Sequence, residues 1–514
     1  MFRSLPAAVF PEADLDKLAE KMIAEAETDD AGNPTAEIET VIDAEENQGT
    51  ENVPAIPAGF TYLGQFIDHD ITFDPVSSLV KQNDPDQLTD FRTPRFDLDS
   101  VYGRGPGDQP YLYEDDGKHF KLGRKLTGVE ASFDGNVRDL PRHQSSSGTA
   151  RALIGDPRND ENVIVAQLHS TMLRFHNSLV DLWPTRSFEE IQQSVRWHYQ
   201  WVVLNDFLPK MVGWDTIYSI LPHLNPKTPK SPTTNKPQTI HEAKPDLRFF
   251  HWKNEPFIPV EFSVAAYRFG HSMIRPVYRL NKTFGVNPPT EADPINGRQF
   301  IFTPTDTNQG LNGFREIPEN FAIDWRLFFD LNVKGQPKKG VERIQPAYKV
   351  DSSLVNPLAL LPEFVKQNLP FTSLAQRNLR RGLTMGLPSG QDVACFMGIE
   401  PLKDSQLKVG KATREDSRGN MTIDQVSPSF AGKAPLWFYI LSEAQQAYNN
   451  PRTKDDTSTR LGEVGGRIVA EVFIGLLLGD SHSFLSQAPC WTPELKNSKG
   501  KFGMAELIKQ AITA

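Results

Sequence analysis

Apolar residues in this chain of 514 recur at helical steps wherever they cluster, and that periodicity constrains its fold class most. Val163-Ile164-Val165, Leu168, Met172-Leu173 and Leu179-Val180 fall three and four positions apart, and Ile191, Val195, Tyr199, Val202-Val203 and Phe207 repeat the pattern. Residues so spaced share one face of an α-helix, whereas a strand needs strict alternation, which is scarce here. The spacing predicts a mainly α-helical protein with few short strands. The Pro- and Lys-rich stretch Pro226–Thr239 reads as a surface loop, and long loops are also expected over Asn281–Gly297 and Asp404–Asn420. Candidate functional residues lie on both sides of the first two, so they do not read as interdomain linkers. One large domain is expected over residues 53–514, preceded by an acidic lead-in over 1–52 that is partly helical around Leu15–Ala26.

Charge and cysteine content narrow the function classes. The formal net charge is −10, and ten acidic residues without a Lys or Arg between Glu25 and Glu51 account for it. Such a balance argues against nucleic acid or an anionic membrane as the main partner. The longest apolar run, Ile468–Leu478, is interrupted by Glu471 and is too short to span a bilayer. Met1–Lys17 lacks the apolar stretch of a conventional signal peptide. The expectation is a soluble monomer, either cytoplasmic or exported without a leader. Two cysteines, Cys395 and Cys490, allow at most one disulfide and no cysteine-rich metal site.

Chemistry is concentrated in five stretches. In Gly64–Asp70, GQFIDHD, His69 stands between two carboxylates directly behind Phe66 and Ile67. Burial of Asp68 and Asp70 needs compensation, because an unpaired buried charge is costly. In TPRFDLDSVYG, oxygen donors recur every second residue at Thr93, Arg95 (its carbonyl), Asp97 and Asp99, which suits either an Asx-type turn or calcium. In GDPRNDEN, Asp156 is a good N-cap, Pro157 suits the next position, and Arg158 then opposes the helix dipole. Arg158 is either paired with Asp160 or Glu161 or aimed into a pocket. His169 and His176, seven apart, read as packed or hydrogen-bonded histidines. In YRFGHSMIRP, His271 is a satisfied core histidine or a haem-iron ligand, with Gly270 leaving room for a flat group. In NLRRGLTMGLPSG, Asn378 and its arginines form a solvated helix end or orient a ligand.

In their order along the chain these motifs resemble the animal-type haem peroxidases of the peroxidase–cyclooxygenase superfamily, which includes bacterial members called peroxicins. The resemblance spans roughly Gly64 to Pro388. It implies a single large haem-peroxidase domain of the myeloperoxidase-like type. Its matched positions make His69 the distal base, Arg158 the distal arginine and Gln65 a halide-associated glutamine. His271 becomes the iron ligand with Asn378 on its other ring nitrogen, and Arg268 a further cofactor-binding position. Asp68 and Glu161 match carboxylates that become ester-linked to haem b, and Asp70, Thr93, Arg95, Asp97 and Asp99 match a calcium shell. The implied activity uses hydrogen peroxide to oxidise small one-electron donors, with bromide, iodide or thiocyanate as further substrates, and suggests a role in the response to oxidative stress. Asn162 stands where myeloperoxidase has a haem-linked methionine, so that link is not expected and chloride oxidation is disfavoured. Related fatty-acid dioxygenases carry a tyrosine three residues before the proximal histidine. Arg268 occupies that place here, with Tyr267 one position off, so a dioxygenase is the alternative, and a non-catalytic haem-binding module a third reading.

Overall fold

In the computed structural model the described residues are 1–24, 55–72, 92–143, 150–283, 298–303, 310–336, 343–368, 370–412, 420–449 and 460–513. The acidic run Glu25–Glu51, the 52/53 boundary and most of the expected loop over Asn281–Gly297 lie outside them. The longer helices are α1 (Glu12–Met22), α2 (Gly59–Ile71), α3 (Val163–Leu182), α4 (Phe188–Val202), α5 (Leu374–Thr384), α6 (Leu436–Asn449), α7 (Glu463–Gly479) and α8 (Met504–Ala511). Among the described residues, strand structure is confined to the antiparallel pair β1 (Val277–Tyr278) and β2 (Gln299–Phe300) and isolated bridges. The chain is thus mainly helical with long connections, as its periodicity predicts. Pro226–Thr239 forms turns rather than a regular element.

Helix α7 is the central element, buried nearly all round from Val464 to Leu477, as expected of a helix apolar on every face. Its one buried carboxylate, Glu471, accepts the backbone N–H groups of Arg248, Phe249 and Phe250 and pairs with Arg467 Nε at 2.6 Å. This explains how an acid interrupts the longest apolar run without cost to the core. Among the described residues no helix is long and apolar enough to cross a membrane. Helix α4 opens with a reciprocal capping box between Ser187 and Glu190 and runs into a π-helical turn, Val203–Phe207, just before Pro209.

Three packing relations build the site. Helix α2 lies against α3, which α8 covers from the other side, and against the segment Ala266–Met273. That segment is not the regular α-helix suggested by its sequence. A π-helical turn over Glu261–Ala265 tightens into 3₁₀ geometry from Ala266, with Ala265 itself outside the helical region at φ −127° and ψ −70°. Such changes of helical pitch commonly mark functional segments. Helix α1 packs on α5, where Arg380 pairs with Asp16 and Glu12, so the first 24 residues are part of the packed structure. Gly59 opens α2 because a Cβ there would lie 2.4 Å from the Phe329 ring and 2.6 Å from the Phe328 carbonyl oxygen.

Candidate active site

Helix α2, the turn before α3 and the Ala266–Met273 segment enclose a cavity of about 660 Å³. Gln65, Asp68, His69, Arg158 and Glu161 line it, as do Arg268, Gly270 and His271. Phe207, Met211, Phe257, Ile258 and Tyr267 add apolar wall, and Arg3 and Arg381 add cationic groups. The size is that of a pocket for a large organic ligand. No heavy atom outside its own neighbourhood lies within 4 Å of a Cβ built at Gly270, which leaves open space beside His271.

On the side built by α2, His69 is 5% exposed and its Nδ1 lies 2.8 Å from Asn159 Oδ1. Its Nε2 lies 3.7 Å from Glu161 Oε1, an oxygen that also accepts from Gln65 Nε2. Burial, reinforced by the Arg158 charge, lowers the His69 pKa to about 4, so the ring is neutral at neutral pH. Burial raises Glu161 to about 7, with Glu363 adding to the effect. Arg158 takes neither partner expected from its neighbours. Its Nη2 is 2.7 Å from Asp156 Oδ2, 3.1 Å from the His69 carbonyl oxygen and bonded to the Thr72 carbonyl. Asp160 pairs instead with Arg142 at 2.7 Å. Burial opposes ionisation of Asp156, yet its hydrogen bonds from Arg158 hold the pKa at about 2, and Arg92 lies on its other face at 2.7 Å. The helix start is also displaced from the sequence reading. Asp156 caps only a 3₁₀ turn, Pro157–Asp160, and α3 begins at Val163 with Asn162 as N-cap.

Across the cavity, burial and then the Arg268 charge lower His271 to about 3. Asn378 Nδ2 lies 2.9 Å from His271 Nδ1, and Asn378 Oδ1 accepts from Arg268 Nη1 at 2.9 Å. Asn378 thus presents its amide nitrogen to His271 Nδ1, with Arg268 on its carbonyl.

A third cluster lies at the C-terminal end of α2. One carboxylate oxygen each of Asp70, Asp97 and Asp99 fall within 4.8 Å of one another. Asp70 is fully buried and accepts from the Leu98 N–H at 3.3 Å and from Ser100 Oγ at 3.2 Å. Thr93 Oγ1 donates to Asp97 Oδ2 at 2.8 Å, while the Arg95 side chain lies 3.8 Å from Asp480. Burial, aided by the mutual repulsion of the three acids, pushes Asp70 well above the usual carboxylate range, and burial raises Asp99 to about 6. Leu98 holds φ +56° between two of the acids, a conformation unusual for a residue with a Cβ. Three carboxylates in an all-oxygen set, with Arg92 3.4 Å from Asp99, have the chemistry of a hard-cation site.

Residues 78–325 match the family model described as Animal haem peroxidase. The thyroid peroxidase of Mus musculus is 25% identical over 381 residues, covering 70% of this chain and 36% of that protein. A peroxidase-like protein of Margaritifera margaritifera is 25% identical over 279 residues, covering 42% of this chain and 32% of its own length. The chain thus spans about a third of the length of these curated relatives. Among solved structures, peroxidase A from Dictyostelium discoideum superposes with a TM-score of 0.52 at 16% identity, covering 97% of this chain and 88% of that one. Together these matches support a place for the chain in the peroxidase–cyclooxygenase superfamily. A fatty acid alpha-dioxygenase of Oryza sativa shares the fold with a TM-score of 0.50 at 14% identity, covering 96% of this chain and 76% of that one.

The animal haem peroxidase match implies haem binding, and the cavity lined by His69 and His271 offers imidazole nitrogens. The structure brings Gln65, Asp68, His69, Arg158, Glu161, Arg268 and His271 to one cavity, with Asn378 directly behind His271. Thr93, Asp97, Asp99 and Asp70 gather at the acidic cluster. Asn162 is absent from the cavity wall and instead caps Ile164 and bonds the Leu311 carbonyl. His169 and His176 are hydrogen-bonded within the core. Both cysteines are free and exposed. Three residues were missed by sequence reasoning in their present roles: Asp156 as the clamp on Arg158, Asn159 as the partner of His69, and Ser100 as a donor to Asp70. Each neighbours a highlighted residue, but only the fold shows where its side chain turns.

Proposed function

We propose that this protein is a haem peroxidase that reduces hydrogen peroxide to water at the expense of two one-electron donors, with bromide, iodide and thiocyanate as further substrates. The observation that carries the reading is the enclosure of a neutral buried His69, Arg158 and His271 around one cavity. Haem, when bound, supplies the iron at which peroxide is reduced and oxidising equivalents are held.

The protein's residues support that chemistry in separate ways. His271, neutral at neutral pH, would hold the haem iron through Nε2; its Nδ1 would then keep the proton, and Asn378 would turn its carbonyl end to it. His69 is neutral at neutral pH, so its Nε2 takes a proton from peroxide and returns it to the departing oxygen. Arg158, immobilised by Asp156, presents fixed positive charge where negative charge develops. Asp68 and Glu161 are the carboxylates for ester links to haem. The raised pKa of Glu161 keeps part of its population protonated at neutral pH. Calcium at Asp70, Asp97 and Asp99, with Thr93 and the Arg95 carbonyl completing its shell, would relieve the charge that burial leaves uncompensated there.

The alpha-dioxygenase fold relative makes fatty-acid oxygenation the second reading. Against it, Arg268 holds the position of the radical tyrosine, and the Tyr267 hydroxyl is committed to the Gly64 carbonyl at 3.1 Å. The test is to supply haem-loaded protein with peroxide plus guaiacol, and separately with oxygen plus palmitate. Peroxide-dependent guaiacol oxidation without palmitate oxygenation is expected. The opposite pattern would replace the peroxidase reading with the dioxygenase one, and failure to retain haem would sink both.

A further inference from the structure

Asn159 bridges two buried histidines end to end. Its Oδ1 lies 2.8 Å from His69 Nδ1, and its Nδ2 lies 3.0 Å from His169 Nδ1. Both Asn159 and His169 are 0% exposed. An amide has one accepting and one donating end, so its orientation dictates the protonation of both rings. With the carbonyl toward His69, Nδ1 carries the proton and donates it, and the lone pair falls on Nε2. That nitrogen is the one facing the cavity, 3.7 Å from Glu161. With the amide reversed, Nε2 would carry the proton and a general base would have no lone pair to offer.

We propose that Asn159, held by His169, is a positioning residue that fixes the tautomer of His69 so that its lone pair faces the cavity. The proposal rests on His69 being the distal base. His169 closes the bridge: its Nδ1 accepts from Asn159 Nδ2 while its buried Nε2 has no hydrogen-bond partner, so turning the amide requires both rings to move their protons. The edge-to-face contact of His169 with Phe66, centroids 6.0 Å apart, further limits rotation of that ring. Asn159 thus does for the distal histidine what an outer hydrogen-bond partner does for a metal-bound one, setting which nitrogen carries the proton. The short turn Pro157–Asp160 delivers it: the same turn that presents Arg158 to the cavity directs the next side chain inward between α2 and α3.

The test is nitrogen-15 NMR of the full chain labelled at histidine, purified as it is and reduced under carbon monoxide so that any haem present is diamagnetic. His69→Gln and His169→Gln spectra assign the two rings. The expected wild-type pattern is a proton on Nδ1 of His69 and on Nε2 of His169. Asn159→Asp, which can accept at both ends but donate at neither, is expected to leave His69 unchanged and invert His169. Asn159→Leu is expected to remove the tautomer preference of His69 and slow reaction with peroxide by about tenfold to a hundredfold while haem uptake is retained. A proton on Nε2 of His69 in the wild type, or an Asp variant that leaves His169 as it was, overturns the proposal, as does a Leu variant reacting at the wild-type rate. If Asn159→Leu fails to fold, the wild-type and Asp spectra decide. Wild-type protein inert to peroxide would refute the peroxidase reading, while the tautomer pattern would still decide the relay.

Discussion

At the scale of residues, the site works by withholding alternatives from its charged groups. Arg158 is held by Asp156, which accepts from its backbone N–H at 2.9 Å and from its guanidinium at 2.7 Å, and by the carbonyl oxygens of His69 and Thr72. Asp156 is fully buried and also pairs with Arg92 at 2.7 Å, a guanidinium that Asp99 meets as well at 3.4 Å. Replacing it with an amide leaves both cations under-compensated in a low-dielectric setting. Asp156→Asn is therefore expected to lower stability by about 2–3 kcal/mol, and to slow reaction with peroxide by freeing Arg158 to move. Denaturant titration checks the first outcome and stopped-flow mixing the second. A variant as stable as the parent would show that Asp156 is not the clamp described here.

Whole elements carry two further expectations. The acidic cluster ties the end of α2 to the turn at Leu98, so a cation there fastens the His69 helix to the rest of the protein. Chelation is expected to lower the thermal midpoint, because a ligand bound only by the folded state stabilises it. Asp97→Asn is expected to shrink that calcium dependence. If the midpoint is indifferent to calcium in the parent, the cluster is not a calcium site. The junction of α6 and α7 offers a pH test away from the cavity. Glu443 accepts the N–H groups of Val464 and Gly465 at 2.9 and 3.1 Å, and burial raises its pKa to about 7 from an ordinary 4.5. A carboxyl raised on folding contributes stability that is fully present below pH 4.5 and lost as pH climbs through about 7. Glu443→Gln, which cannot ionise, is expected to lack this loss. Relative to the parent it should gain up to about 3 kcal/mol between pH 4.5 and pH 8. Parallel stability curves for the two proteins over that range would contradict the assignment.

Across the whole molecule, the helical fold was legible because burial imposes period on sequence: the residues spaced three and four apart from Val163 to Val180 lie in α3, although the structure buries every residue of that stretch and not one face alone. The candidate site was legible where residue type is itself unusual, as in a histidine between two acids or aspartates on either side of Leu98. It was not legible where geometry depends on close packing. Asp160 is as near to Arg158 in sequence as Asp156, with Glu161 one residue further, and only the turn over Pro157–Asp160 selects between them. The pitch change at Ala265 has no periodic signature, and so His271 reads as part of an ordinary helix. His169 was recognisable as a core histidine, but its link to His69 passes through Asn159, which belongs to a different structural element from either ring.

Helix α2, the turn before α3 and the Ala266–Met273 segment bring His69, Arg158 and His271 to one cavity, where we propose that they serve as base, fixed cation and haem-iron ligand. The measurement that tests it most directly is peroxide-dependent donor oxidation by haem-loaded parent and His69→Ala, with haem content determined on the same samples. The account expects haem retained in both, through His271, and turnover in the variant reduced by about a hundredfold or more. Equal turnover at equal haem content would contradict it, because the base that the cavity is built around would then have no part in the reaction.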